Sequence, residues 1–396
     1  MKYPFTPEIL EGLPENIAEL YRSLESTLLK EICSRLDLAG ELNEVTVESI
    51  RALRSQGISL DEIQDAIQEN TQISEEELQE LLNDVVARNQ RYYTELIDLA
   101  GLTQPQTLLD QADIDAIIRQ TGTEMINITQ SMGFLVGNGR TMLPLAKVYQ
   151  WALNNAELEI MSGAINYNQA IKSSIRQIAD SGLRYVTYES GRRDHVDVAV
   201  RRAVMTGINQ LCSRYSEQSM NYLNTDLVET TAHSGARDID GPNGWEAHTR
   251  WQGKIYHWSA KGNKNRGKYP DFEKTCGYGD VTGILGANCR HYYHPFVAGV
   301  MERTYTDNQL RHIDDGRDAD FEGRHYTAYE ATQKQRQIER TVRKLERRRI
   351  AFEAQDNKDE AQAAQTSLQR LMKEYRAFSK AADLPMQPER MKVLYK

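Results

Sequence analysis

The chain has 396 residues, of which 27% are charged, a formal net charge of −9 and a mean hydropathy of −0.63. That length is expected to hold two or three domains, and so hydrophilic a chain with only 10 prolines favours many solvated helices over wholesale disorder. The start MKYPFTPEIL lacks a signal peptide's basic-then-apolar pattern, and no run approaches the ~18–20 apolar residues of a membrane span; four scattered cysteines without a CxxC pair read as free thiols of a reducing compartment.

Charge is unevenly placed. Residues 1–120 carry 24 acidic and 9 basic side chains, whereas residues 324–396 carry 10 acidic and 17 basic. Such asymmetry marks either a nucleic-acid-facing tail or two solvated helical faces, and the glutamates interspersed among the basic residues favour the second.

Glu15 to Leu38 reads as one long amphipathic helix. Three helix starts follow: Thr46 between Val45 and Val47, Ser59 with Glu62, and Ser74 with Glu77. In each box the hydroxyl accepts from an orphan backbone N–H and the glutamate returns to the cap. They predict helices near 46–55, 60–70 and 75–100, with Gly57 ending the first. A DNA-binding helix-turn-helix is disfavoured, because LDEIQDAIQEN has four acidic residues and no basic one to meet phosphate.

Asp110 is expected to cap a helix that Gly122 stops. SMGFLVGNGRTMLP (131–144) reads as a glycine-rich loop without the GK[ST] of a phosphate-binding turn. Helices over 143–161 and 164–181 precede one over 192–222, where Val196, Val200, Val204, Ile208 and Leu211 form a buried stripe. Arg192, Arg193, Arg201 and Arg202 lie off it, available to an acidic partner.

From Asp226 the period changes. Residues 226–296 hold five of the eight histidines (His233, His248, His257, His291, His294), Cys276, Cys289 and three of the four tryptophans. LVETTAHSGAR, HTRWQGKIYHWS and CRHYYHPF read as short strands parted by turns, a small α+β domain with the 192–222 helix on its sheet. A short helix after Thr306, a hairpin at FEGRHY (321–326) and two long helices near 327–355 and 357–382 follow, the last two suited to an antiparallel coiled pair.

Three chemistries compete with plain packing for the central stretch. Zinc would draw on Cys276, Cys289, His291 and His294, although their spacing departs from the close pairs of structural sites. A cysteine nucleophile would be Cys289 beside Arg290 and His291, without a visible oxyanion-hole motif. Acid–base hydrolysis would use His233 or His248 with Glu229, Asp238 or Asp271; its nuclease form adds the basic loop 261–268, with Trp258 and Tyr269 to stack bases.

LVETTAHSGARD, HTRWQGKIY, YPDF, GYGDVTG and GANCRHYYHPF, in that order, resemble the central signature of the phage minor capsid protein 2 family of tailed bacteriophages, and the NCRH ending is similar to that of MuF-type minor head proteins. RRDHVDVAVRRAVMTGINQ before it and YTAYEATQKQRQIERTVRKLERR after it resemble the family's flanking helices. The resemblance covers about 185–396 well and 1–180 loosely, as an all-helical region.

The resemblance implies a mainly α protein with a small α+β domain: a helical N-terminal region (1–184) for portal or capsid contact, a compact MuF-like domain (185–300) and a C-terminal helical hairpin (301–396). It implies a structural head protein, not an enzyme, with no metal or cofactor. Its partners would be the portal protein and the major capsid protein, and its basic C-terminal helices would lie near packaged DNA. It would be made in the host bacterial cytoplasm and sit inside the virion near the portal, acting in head assembly and genome delivery. Positions matching the signature are His233, Arg237, His248, Trp251, Gly253, Lys254, Tyr256, Asp271, Cys289, Arg290 and His291, expected to carry fold and contacts. The insert Asp238–Trp245 is longer than the expected link. The alternative is an injected metal-dependent nuclease or hydrolase centred on the His/Cys cluster 233–294.

Overall fold

The computed structural model describes residues 3–37, 61–137, 139–162, 167–186, 191, 193–286 and 289–392. The expected helix over 46–55, the Gly57 stop and the Ser59 cap lie outside these residues, as do Arg192, Ala287 and Asn288.

Helix α1 (Pro7–Gly12) starts where the Thr6 side chain accepts from Ile9 N, with proline at the first position. Helix α2 (Glu15–Asp37) follows as expected, burying Ile17, Tyr21, Leu24, Leu28, Ile32 and Leu36 along one face. Helix α3 (Asp61–Leu99) is a single run of 39 residues where a break before Ser74 was expected. No glycine or proline interrupts 61–99, so the Ser74–Glu77 pair has helix on both sides, and Ser74 is buried mid-helix. Helix α4 (Gln111–Gln130) likewise runs through Gly122. One interior glycine costs only about 1 kcal/mol, which burial of Ile114, Ile117, Met125 and Ile128 offsets.

The glycine-rich stretch is a hairpin, not a loop. Strand β1 (Met132–Val136) pairs antiparallel with β2 (Thr141–Pro144), and Gly137 and Gly139 turn the chain at φ of 58° and 77°. Gly133 serves pairing: a Cβ there would overlap the Leu143 carbonyl. After helices α5 (Leu145–Met161) and α6 (Tyr167–Ser181), strands β3 (Leu183–Val186) and β4 (Arg193–His195) complete a sheet of order β2-β1-β3-β4.

Helix α7 (Val196–Leu223) buries all five residues of its expected stripe. Its off-stripe arginines find acidic partners within the chain, Arg201 on Glu15 at 2.8 Å and Arg202 on Asp194 at 2.6 Å, while Arg193 donates to the Arg140 carbonyl at 2.8 Å.

The second sheet centres on β5 (Leu227–Thr230), flanked antiparallel by β6 (Ile255–His257) and β7 (Tyr293–Phe296). His248–Arg250, expected within a strand, forms a 3-10 turn instead. A short helix α8 (Phe272–Cys276) leads toward β7. Thereafter come α9 (Asp307–Arg311), capped by a Thr306–Gln309 box, and a hairpin of β8 (Ala319–Phe321) and β9 (Arg324–Tyr326). Helices α10 (Ala328–Ala354) and α11 (Lys358–Ala381) end the described fold, close to the expected ranges.

Three cores result. The largest joins α1–α7 with Tyr292 and the far end of α10 at Ile350, Ala351 and Phe352. A second lies between the β8–β9 hairpin and the α10–α11 pair, around Ile338, Val342, Leu368, Tyr375 and Phe378. The third surrounds the β5 sheet with Trp251, Tyr256, Trp258, Phe272 and Tyr293. The molecule is mainly α with small sheets, and no described helix is long and apolar enough to cross a membrane.

Candidate functional site

Three segments meet beside β5. The first leaves the strand at Thr230 and carries His233 and Arg237. The second is the 3-10 turn with His248, Trp251 and Gln252. The third approaches β7 with Cys289, Arg290 and His291. Gly253 makes the second turn possible: it sits at φ 68°, donates to the Thr231 carbonyl at 3.3 Å, and a Cβ there would overlap Leu310.

His291 is the centre. Its ring lies 4.4 Å from His233, 5.2 Å from His248 and 4.8 Å from Trp251, centroid to centroid. Gln252 Oε1 accepts from His233 N at 3.1 Å and faces His291 Nε2 at 3.0 Å. A backbone N–H requires an acceptor, so the amide orientation is set and Nε2 of His291 must donate. The Nδ1 lone pair of His291 then faces Cys289 Sγ at 3.7 Å. His248 Nε2 donates to the Thr282 carbonyl at 3.0 Å and His233 Nδ1 to the Ser234 carbonyl at 2.8 Å.

Burial keeps these imidazoles neutral. It lowers His233 to about 3, with Arg290 adding repulsion, and His248 to about 4, against the Thr282 hydrogen bond and with Arg237 repelling. His291 falls well below the ordinary range through burial and the neighbouring histidines. Burial also pushes the Cys289 thiol up to about 11. Ligand atoms of His248, Cys289 and His291 all lie within 4.8 Å of one another. Outside them is a cavity of about 230 Å³ walled by His233, Arg237, His248, Arg290, Arg336 and Arg340.

The candidate zinc set of Cys276, Cys289, His291 and His294 does not converge. Extended chain alternates its side chains: His291 and Tyr293 face the small core, whereas Tyr292 and His294 face the large one, where His294 stacks on Tyr3 at 3.9 Å. Cys276 is buried in the small core at the end of α8. His248, weighed from sequence only as a base, stands with Cys289 and His291 instead.

The acid–base pairs are also not assembled. Glu229 is buried and accepts from Thr304 N at 2.9 Å and from the Tyr3 hydroxyl. Asp238 accepts from Thr249 at 2.8 Å, and Asp271 caps α8 by accepting from Lys274 N at 3.0 Å. Trp258 is no stacking platform: it is buried and donates to Glu273 at 2.8 Å.

The sequence model of the phage minor capsid protein 2 family matches residues 5–380, which leaves only the two ends of the chain unmatched. The chain belongs to this family. It is similar to a structural protein of Lactococcus phage LL-H, 28% identical over 243 residues, which are 61% of this chain and 59% of that protein. It is also similar to a structural protein of Lactococcus phage mv4, 33% identical over 127 residues, which are 32% of this chain and 93% of that protein. The chain thus spans about 59% of the length of the LL-H relative. No solved structure matches.

In this phage minor capsid protein 2 family member, the signature positions divide into two groups. His233, Arg237, His248, Cys289, Arg290 and His291 surround the cavity or the cluster behind it. Trp251, Gly253, Lys254, Tyr256 and Asp271 hold the surrounding turns: Trp251 donates to the Trp245 carbonyl at 2.8 Å, Tyr256 to the Trp251 carbonyl at 2.7 Å and Lys254 Nζ to the Arg250 carbonyl at 2.6 Å. Sequence reasoning passed over Gln252 and Thr282, although a polar residue inside the W-Q-G-K turn was the available signal for the first. Arg336 on the wall, and Glu11, which pairs with Arg336 and Arg290 behind it, have no local signal at all, because only the tertiary fold brings them together.

Proposed function

We propose that the chain is a structural component of the phage head that sits in the virion at the portal vertex, on the inner side of the shell, and takes part in head assembly and genome delivery. The family match over residues 5–380 carries this reading, and both relatives are named structural proteins of phages. In this reading the helical region 1–184 contacts the portal and major capsid proteins, residues 185–300 form the MuF-like domain, and residues 301–396 form a helical hairpin. Helix α3 suits a basic or mixed protein ring, since Asp65, Glu69, Glu75, Glu76, Glu80 and Asp84 all stand exposed on it.

Co-expression with portal and major capsid proteins, followed by affinity capture of the full chain, tests the reading. Retention of portal protein, weakened by lysine at Glu75, Glu76 and Glu80, is the expected result. A chain that elutes alone in the presence of both would overturn it. The comparisons lend the nuclease alternative no support.

A further inference from the structure

We propose that Cys289, His291 and His248 hold a divalent transition-metal ion of the zinc class, with its remaining coordination position open to the arginine-walled cavity. The donor set is one sulfur and two imidazole nitrogens, which selects zinc-like ions over magnesium or calcium. Tetrahedral coordination with Zn–S near 2.3 Å and Zn–N near 2.0–2.1 Å separates neighbouring donor atoms by about 3.3–3.6 Å. The 3.7 Å between Cys289 Sγ and His291 Nδ1 lies just above that range, and the 4.8 Å limit on the whole group leaves about an ångström of side-chain closure.

The hydrogen bonds around the cluster are those a metal site needs. The amide of Gln252, itself oriented by the His233 N–H, takes the Nε2 proton of His291 and frees Nδ1 toward the sulfur. The Thr282 carbonyl takes a ring proton from His248 in the same manner. Binding releases the Cys289 proton, so the ion sits as a thiolate complex. Arg237 and Arg290 oppose a bare cation here, and they therefore demand that thiolate together with an anionic ligand, hydroxide or an oxyanion, in the open position. The simpler account of the same contacts is an S–H···N hydrogen bond from Cys289 to His291, and the two accounts separate by measurement.

The full chain, stripped with chelator and reloaded with Co(II), should take up one ion per chain. Its spectrum should show a thiolate-to-cobalt charge-transfer band and the intense visible bands of a four-coordinate centre. Cys289→Ser should abolish the charge-transfer band, Cys276→Ser should leave it intact, and Gln252→Leu should weaken binding ~10–100-fold while retaining it. Zinc should also protect Cys289 of the unaltered chain from alkylation, a readout that survives if Cys289→Ser misfolds. A chain that binds no stoichiometric cobalt and whose Cys289 alkylates equally with and without zinc would overturn the proposal, leaving the hydrogen bond. A band that survives Cys289→Ser in folded protein would overturn it in favour of other ligands.

Discussion

Glu11 Oε1 accepts from Arg390 at 2.6 Å, closing the first helix onto the last described turn across 379 residues. The same carboxylate accepts from Arg336 at 3.0 Å and from Arg290 at 2.8 Å. One carboxylate thereby holds together guanidiniums from the cluster segment, from α10 and from the C-terminal turn. Burial opposes its ionisation, but Arg290, Arg390 and Arg336 together outweigh that and hold the carboxyl well below the ordinary range. Glu11→Gln leaves three cations facing one another, and the expected loss is about 3–5 kcal/mol in urea unfolding at neutral pH. Because the folded carboxyl titrates low, its contribution is complete above about pH 4.5 and fades as the pH falls below that value, so the gap between variant and parent should narrow on acidification.

The histidines set a second pH dependence at a higher window. Burial lowers His195, His233 and His294 to about 3 and His248 to about 4, whereas the unfolded chain protonates them near 6.5. The unfolded state binds more protons throughout that interval, so stability rises with pH and is lost from about 6.5 downward at ~1.4 kcal/mol per unit for each histidine. His294 gives a clean test, since its Nε2 has no hydrogen-bond partner among the described residues and its ring stacks on Tyr3. His294→Phe should flatten the slope of unfolding free energy between pH 4 and 6 by about one histidine's share. An unchanged slope would contradict this reading.

Close helix packing is testable at Gly207 in α7, where a Cβ would overlap Thr121 Oγ1 of α4. Gly207→Ala should cost about 1–3 kcal/mol by overpacking, even though alanine is the better helix former. Adding Thr121→Ala removes the obstructing hydroxyl and should recover much of that loss. A double-mutant cycle with no coupling would refute the contact.

If the C-terminal helices meet DNA, α11 offers the larger set of exposed cations. Arg336 and Arg347 of α10 pair with Glu11 and Glu25, and Arg348 with Asp180. On α11, Arg370, Lys373, Arg376 and Lys380 stand exposed without an ion pair among the described residues. If these four meet phosphate, duplex binding by the full chain should fall with salt at a log–log slope of roughly −3 to −4. Replacing all four with glutamine should abolish that dependence, and a slope that persists would place the contact elsewhere.

How far the sequence alone reached depends on whether the deciding interaction is local. The long helices α2, α7, α10 and α11, the Thr306 start and the FEGRHY hairpin were legible, because periodic burial and capping act within a few residues. The ordered motifs around His233, Trp251 and Cys289 pointed to the family that residues 5–380 match. The hairpin at 132–144 was misread because its glycines serve a turn and a close strand pairing, which composition cannot separate from a loop. Ser74 and Gly122 were misread as boundaries because burial of a continuous face outweighs a local signal worth about 1 kcal/mol. The largest difference concerns charge. The acidic first third and basic last quarter read as two solvated helical faces, yet Glu11 and Glu25 of the first meet Arg336 and Arg347 of the second, and Asp180 meets Arg348, inside one molecule. Which cysteine and which histidines share a neighbourhood was likewise settled only in three dimensions. Strand alternation turned His294 away from His291, and the W-Q-G-K turn brought His248 across to it.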